Sequence, residues 1–124
     1  MKTILLIFTG SGVGGVLRYF TQKLFIDMGY VGFPAGTFIV NIVGCFLIGL
    51  FNAMADKNNT ISPDARLALT TGFCGGFTTF STFANENVNL LRNGNYILFS
   101  TYILSSFIIG IAAVFFGSNM LKFF

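Results

Sequence analysis

Charged residues are missing from three long stretches of the chain: between Asp27 and Asp56, between Arg66 and Glu86, and between Arg92 and Lys122. Each stretch has room for an apolar helix of about 20 residues, which at roughly 1.5 Å rise per residue crosses a hydrocarbon core. A further apolar run, from Thr3 to about Phe25, carries Arg18 and Lys23 near its far end, where long basic side chains can snorkel to headgroups. The pattern predicts an all-α membrane protein, a single domain over 1–124, with four transmembrane helices at about 3–25, 33–55, 66–92 and 95–121. The polar connection DKNNTISPD, Asp56 to Asp64, separates the second and third; Ser62 is placed to cap the third helix, with Pro63 at its first position.

The third span departs from a plain lipid-facing pattern. Its stretch GFCGGFTTFSTF, Gly72 to Phe83, holds paired glycines, a row of hydroxyls and closely spaced aromatic rings. A glycine inside a helix is roughly 1 kcal/mol worse than alanine, so Gly75-Gly76 followed by Phe-Thr-Thr predicts a third helix broken in mid-membrane. Carbonyls freed at that depth need protein, water or an ion as partner. Gly72 and Gly76 also form a GxxxG pair, which supports close helix packing instead.

Composition agrees with a lipid solvent: 54% of the residues are hydrophobic and 9% charged, against about 25% charged in ordinary soluble domains. No histidine is present, which removes the commonest general base and transition-metal ligand, and no nucleophile constellation stands out; an enzyme is disfavoured. Cys45 and Cys74 both fall inside spans and read as small buried residues. The net charge of +3 is dispersed, without the basic run that nucleic acid would need. The N-terminal run lacks a clean small-residue cleavage site, so it reads as a helix and not as a signal peptide.

With four spans, Lys2, Lys57, Arg66 and Lys122 lie on one side and Arg18, Lys23 and Arg92 on the other. The positive-inside rule works through an asymmetry that this chain nearly lacks. Either so few charges carry no signal, or the chain inserts both ways round and opposed copies form an antiparallel dual-topology homodimer.

Several polar side chains interrupt the apolar faces. Asn41 sits near the middle of the second span, with Thr37 one turn earlier on the same face; an amide there serves as helix–helix glue or faces a wet path. Phe80 and Phe83 share a face of the helix after the break, and Thr82 and Glu86 follow on a neighbouring strip, with Ser81 between the rings. Tyr102 and Ser106 share a face of the fourth span. Amide N–H groups, hydroxyls and the positive edges of phenyl rings all donate without carrying full charge, a lining that suits a small anion stripped of part of its water.

GFCGGFTTFSTF, together with Asn41 and the surrounding GTFIVNIVGCFLIG, closely resembles the Fluc (CrcB) fluoride-channel family over the whole chain. The resemblance implies an antiparallel homodimer in the cell inner membrane, with two pores that pass fluoride passively and select it over chloride. It implies that Phe80 and Phe83 present ring edges to the ion and that Asn41 bonds along the same pathway. Thr37, Ser81, Thr82 and Glu86 would form the polar track and vestibule, and Tyr102 and Ser106 would line or close the pore. It further implies a structural sodium ion on the dimer axis, held by the backbone carbonyls of Gly75 and Thr78 from each subunit. Arg18 matches an arginine near the end of the family's first helix, with entry-vestibule and snorkelling roles both open. Gly110, a turn after Ser106, departs from the small polar residue found in some relatives. The competing readings are a small dual-topology proton-coupled exporter, which would want a carboxylate in the membrane's middle, and a non-transporting scaffold.

Overall fold

The computed structural model describes residues 1–30, 32–57 and 60–123. In chain order it contains α1 (Lys2–Asp27), α2 (Ala35–Asp56), α3 (Pro63–Leu67), a π-helical segment (Ala68–Cys74), α4 (Gly75–Phe77), α5 (Phe80–Arg92) and α6 (Tyr96–Asn119), which tightens into a 3₁₀ turn (Met120–Phe123). No strand occurs among the described residues. α1, α2 and the run Tyr96–Phe123 are each long and apolar enough to cross a membrane. The elements from α3 to α5 supply a fourth helical path, whose latter part exposes polar and apolar side chains alike.

The third path begins at Pro63, as the Ser62-Pro63 pair predicts: Ser62 Oγ accepts from the Ala65 N–H at 3.1 Å and so satisfies one of the first unpaired donors of the helix. Gly29 and Gly94 take the left-handed conformation (φ 83° and 71°) just after α1 and α5, where the chain reverses. Lys2 Nζ pairs with Asp64 at 2.8 Å, and Lys57 Nζ donates to the Leu121 carbonyl at 3.1 Å. Both chain ends therefore share one end of the bundle with the α2–α3 connection.

Two backbone approaches hold the bundle together. α2 packs most extensively on α6, and α1 lies along the π-helical segment and α4. On the first interface a Cβ at Gly117 would overlap the Phe46 carbonyl oxygen; on the second, a Cβ at Gly76 would overlap the Ser11 carbonyl oxygen. The Gly72–Gly76 pair thus serves close packing. The glycines themselves stay helical, with Gly75 at φ −61°, ψ −39°. The backbone extends two residues later than their composition implied, at Thr78 (φ −86°, ψ 161°) and Thr79 (φ −151°, ψ 120°). Propensity placed the weak point at the glycines, but contact with α1 keeps them in the helix.

The interior is small. Val40 and Tyr102 are fully buried, and Phe83 and Leu90 pack with Tyr102 in a cluster closed by Phe33, Phe38 and Phe99. Large apolar side chains instead cover the outside, among them Phe8, Phe20, Ile97 and Phe116. Such a surface is stable in lipid and against another apolar surface, and is costly in water.

Candidate functional site

Asn41 organises the point where the third path changes from α4 to α5. Its Nδ2 donates to the Thr79 carbonyl at 3.1 Å, and its Oδ1 accepts from the Thr79 N–H at 2.8 Å. A primary amide presents a donor and an acceptor side by side, so it pairs with the N–H and the C=O of one extended residue much as a neighbouring strand would. In an unbroken helix the Thr79 N–H would go to the carbonyl of Gly75. Directing it to Asn41 leaves that carbonyl without its helical donor. Gly44, one turn beyond Asn41, makes the approach possible: a Cβ there would overlap the Thr78 methyl group.

Thr79 then starts α5. Its Oγ1 accepts from the Thr82 N–H at 3.3 Å, donates to Thr82 Oγ1 at 3.1 Å and lies 3.4 Å from Ser81 Oγ. The hydroxyls of Thr79, Ser81 and Thr82 are thus close neighbours at the N-terminus of a helix, where partial positive charge accumulates. Arg18 reaches the same place from α1, with Nη1 donating to the Thr78 carbonyl at 3.3 Å.

Two cavities flank this junction. The larger, about 760 Å³, is an open groove between α2, the π-helical segment and α6, lined by Asn41, Thr79, Phe80, Phe83, Ser106 and Gly110 among others. Phe80 and Phe83 have ring centroids 5.9 Å apart and planes tilted by 40°. They are unequal partners: Phe83 is 8% exposed, whereas Phe80 is 74% exposed. Ser106 is among the groove's residues, and its Oγ is shielded from solvent and has no hydrogen-bond partner among the described residues. Gly75 and Thr78 also line this groove. A carbonyl freed of its helical donor and one exposed by extended backbone are suitable neutral ligands for a hard monovalent cation, although Thr78 already shares its oxygen with Arg18.

The smaller cavity, about 250 Å³, lies on the other side of Thr82 and is lined by Gln22, Tyr30, Phe33, Thr37, Thr82 and Glu86 among others. Glu86 receives a hydroxyl on each carboxylate oxygen: Thr37 Oγ1 donates to Oε2 and Tyr102 Oη to Oε1, both at 2.9 Å. Gln22 Nε2 donates in turn to Thr37 Oγ1 at 3.0 Å. Tyr102 is fully buried and reaches the smaller cavity only through its bond to Glu86, whereas Ser106, one helical turn on, is among the residues of the larger groove. The structure gathers Thr37, Thr82 and Glu86 at one cavity and Asn41, Thr79, Phe80, Phe83 and Ser106 at the other. Thr79 and Gln22 were passed over in the sequence. The i+3 relation of Thr79 to Thr82 at a helix start could have revealed the first; nothing local distinguishes Gln22.

Truncating Asn41 leaves both polar groups of the Thr79 peptide unpaired. Asn41→Ala is expected to cost about 2–4 kcal/mol, read as a lower thermal unfolding midpoint in detergent. Ser81→Ala, at an exposed position whose side chain makes a single long hydrogen bond, of 3.4 Å, among the described residues, is expected to leave that midpoint nearly unchanged.

Comparison with known proteins places this arrangement. The family described as "CrcB-like protein, Camphor Resistance (CrcB)" matches residues 5–118. A protein of Phocaeicola vulgatus named "Fluoride-specific ion channel FluC" is 51% identical over 117 residues, covering 94% of this chain and 96% of its own length. Proteins with the same name from Bacteroides fragilis and Azobacteroides pseudotrichonymphae are 47% and 42% identical, covering 97% and 100% of this chain and 96% and 99% of theirs. The helical bundle, the Asn41-braced junction and the two cavities beside it are those of a multi-pass membrane protein that belongs to the CrcB-like family.

Proposed function

We propose that the chain is the subunit of a fluoride-selective channel that lets the ion leave the cell passively across the inner membrane. The observation that carries this reading is the tilted ring pair Phe80–Phe83 in a groove also lined by Asn41 and Ser106. Moving a small ion into a dry site of low dielectric costs on the order of 20 kcal/mol in the Born limit, so the lining must replace water. Positive ring edges, hydroxyl protons and the start of α5 do so without a full cationic charge, which keeps the ion free to leave. The fluoride track runs from Glu86, Thr37 and Thr82 past Ser81 to the rings and on to Ser106, with Tyr102 closing its side and Arg18 holding the junction from α1.

Liposomes containing the purified protein are expected to release fluoride and retain chloride. Phe80→Ile or Phe83→Ile removes a ring edge and should slow fluoride release by at least about tenfold, a barrier change near 1.4 kcal/mol, while assembly persists. Unchanged release in both variants would remove the ring-edge mechanism.

The conducting unit in this reading is an antiparallel dual-topology homodimer, with the junction of the third path in mid-membrane. Support comes from the nearly even division of basic residues between the two ends and from the exposure of Phe80 beside a groove with one open side. A second copy, inverted, would cover that side and complete each pore. A reporter fused to the C-terminus should give comparable signal on both faces of the membrane; signal on one face alone refutes dual topology.

A sodium ion on the two-fold axis belongs to the same reading, held by the Gly75 and Thr78 carbonyls of both copies. It would be structural, and its charge would favour anions nearby. Replacing sodium with N-methylglucamine is expected to lower the dimer's unfolding midpoint; equal midpoints in the two salts would exclude the ion.

A further inference from the structure

Gln22 is the residue of the smaller cavity for which no role has yet been given. It stands on α1 where that helix crosses the start of α2, and Gly36 makes the crossing close: a Cβ at Gly36 would lie 2.8 Å from the Gln22 Cα. The approach brings the Gln22 amide to Thr37, a residue only 2% exposed. Hydrogen-bond polarity then follows. An amide nitrogen only donates, so Thr37 Oγ1 accepts from Gln22 at 3.0 Å and has its own proton left for Glu86 Oε2 at 2.9 Å. Tyr102 takes the other carboxylate oxygen at 2.9 Å. The row Gln22→Thr37→Glu86←Tyr102 runs in a single consistent sense toward the carboxylate, and each bond polarises the next.

We propose that Gln22 is a positioning residue for ion entry: through Thr37 it keeps the Glu86 carboxylate tied to the cavity wall, out of the path of an incoming anion. Without the amide, the Thr37 hydroxyl loses the bond that anchors and polarises it, and its hold on the carboxylate weakens. Glu86 Oε2 is then released into a cavity of about 250 Å³, large enough for the carboxylate to swing. A mobile negative charge at that point repels the ion the pore admits. The inference rests on the fluoride-channel reading above and concerns how the pore fills.

The test measures fluoride release from liposomes across a series of fluoride concentrations. Gln22→Met keeps the bulk at the Gly36 crossing and deletes the amide. It is expected to raise the half-saturating fluoride concentration by about three- to tenfold, the worth of one hydrogen bond, with the saturated rate little changed. Gln22→Asn keeps the amide but withdraws it by one methylene, and should give the same shift; it also carries the test where the Met variant does not assemble. In a Glu86→Gln background, where the swinging group is neutral, Gln22→Met should add nothing. A shift that persists undiminished in that background, or a lowered saturated rate with unchanged half-saturation, would show that Gln22 only packs α1 on α2 and would overturn the proposal. A wild-type protein that releases no fluoride would refute the channel reading instead.

Discussion

The amide of Asn41 on the peptide group of Thr79 is the contact on which the rest of this structure depends. In apolar surroundings an unpaired peptide N–H or carbonyl costs several kcal/mol, so a helix can stop there only if other groups take its bonds. Asn41 takes both bonds of Thr79, and Arg18 takes the carbonyl of Thr78. With those satisfied, the chain can extend for two residues and begin a new helix. The start of α5, the Thr79–Ser81–Thr82 hydroxyls and the Phe80–Phe83 pair all take their positions from that restart.

The junction also divides the polar groups into two kinds of environment. On one side Glu86 has every oxygen bonded to a hydroxyl, an arrangement that keeps a full charge quiet. On the other, Ser106 Oγ has no hydrogen-bond partner among the described residues, and the Phe80 ring, tilted against Phe83, is largely exposed. Groups satisfied internally hold the shape; groups left open are those able to meet an ion or a second copy. Thr82 touches both sides, since it bonds to Thr79 and lines the smaller cavity. An ion passing between the cavities would therefore move along hydroxyls and ring edges and would not have to cross a bare apolar wall.

Much of the helical frame was legible from where charges are absent. The runs about 33–55 and 95–121 correspond to α2 and α6, because excluding charge from a helix long enough to cross lipid leaves an unmistakable gap; the run about 3–25 corresponds to α1, although it carries Arg18 and Lys23 near its far end. Ser62 and Pro63 announced the start of the third path for an equally local reason, the need of a first turn for a cap. The glycine pair was legible as unusual but not in its effect. Whether such a pair unwinds a helix or packs it depends on what lies opposite, and opposite Gly76 lies the backbone of Ser11. Asn41 was recognisable as a costly polar residue, but its partner is far along the chain, and no spacing rule connects it with Thr79.

What the sequence determined by itself is therefore the solvent and the frame: an apolar helical chain, with polar side chains too expensive to be idle in lipid. Those follow from local quantities, namely run length, charge and capping, each set by residues close in the chain. The tertiary structure alone decided which polar groups meet. Gln22 joins Thr37 and Glu86, Tyr102 bonds the same carboxylate, and the extended residues fall at Thr78 and Thr79 and not at the glycines. Hydrogen bonds act over about 3 Å, and only the crossing of helices brings residues distant in sequence within that reach.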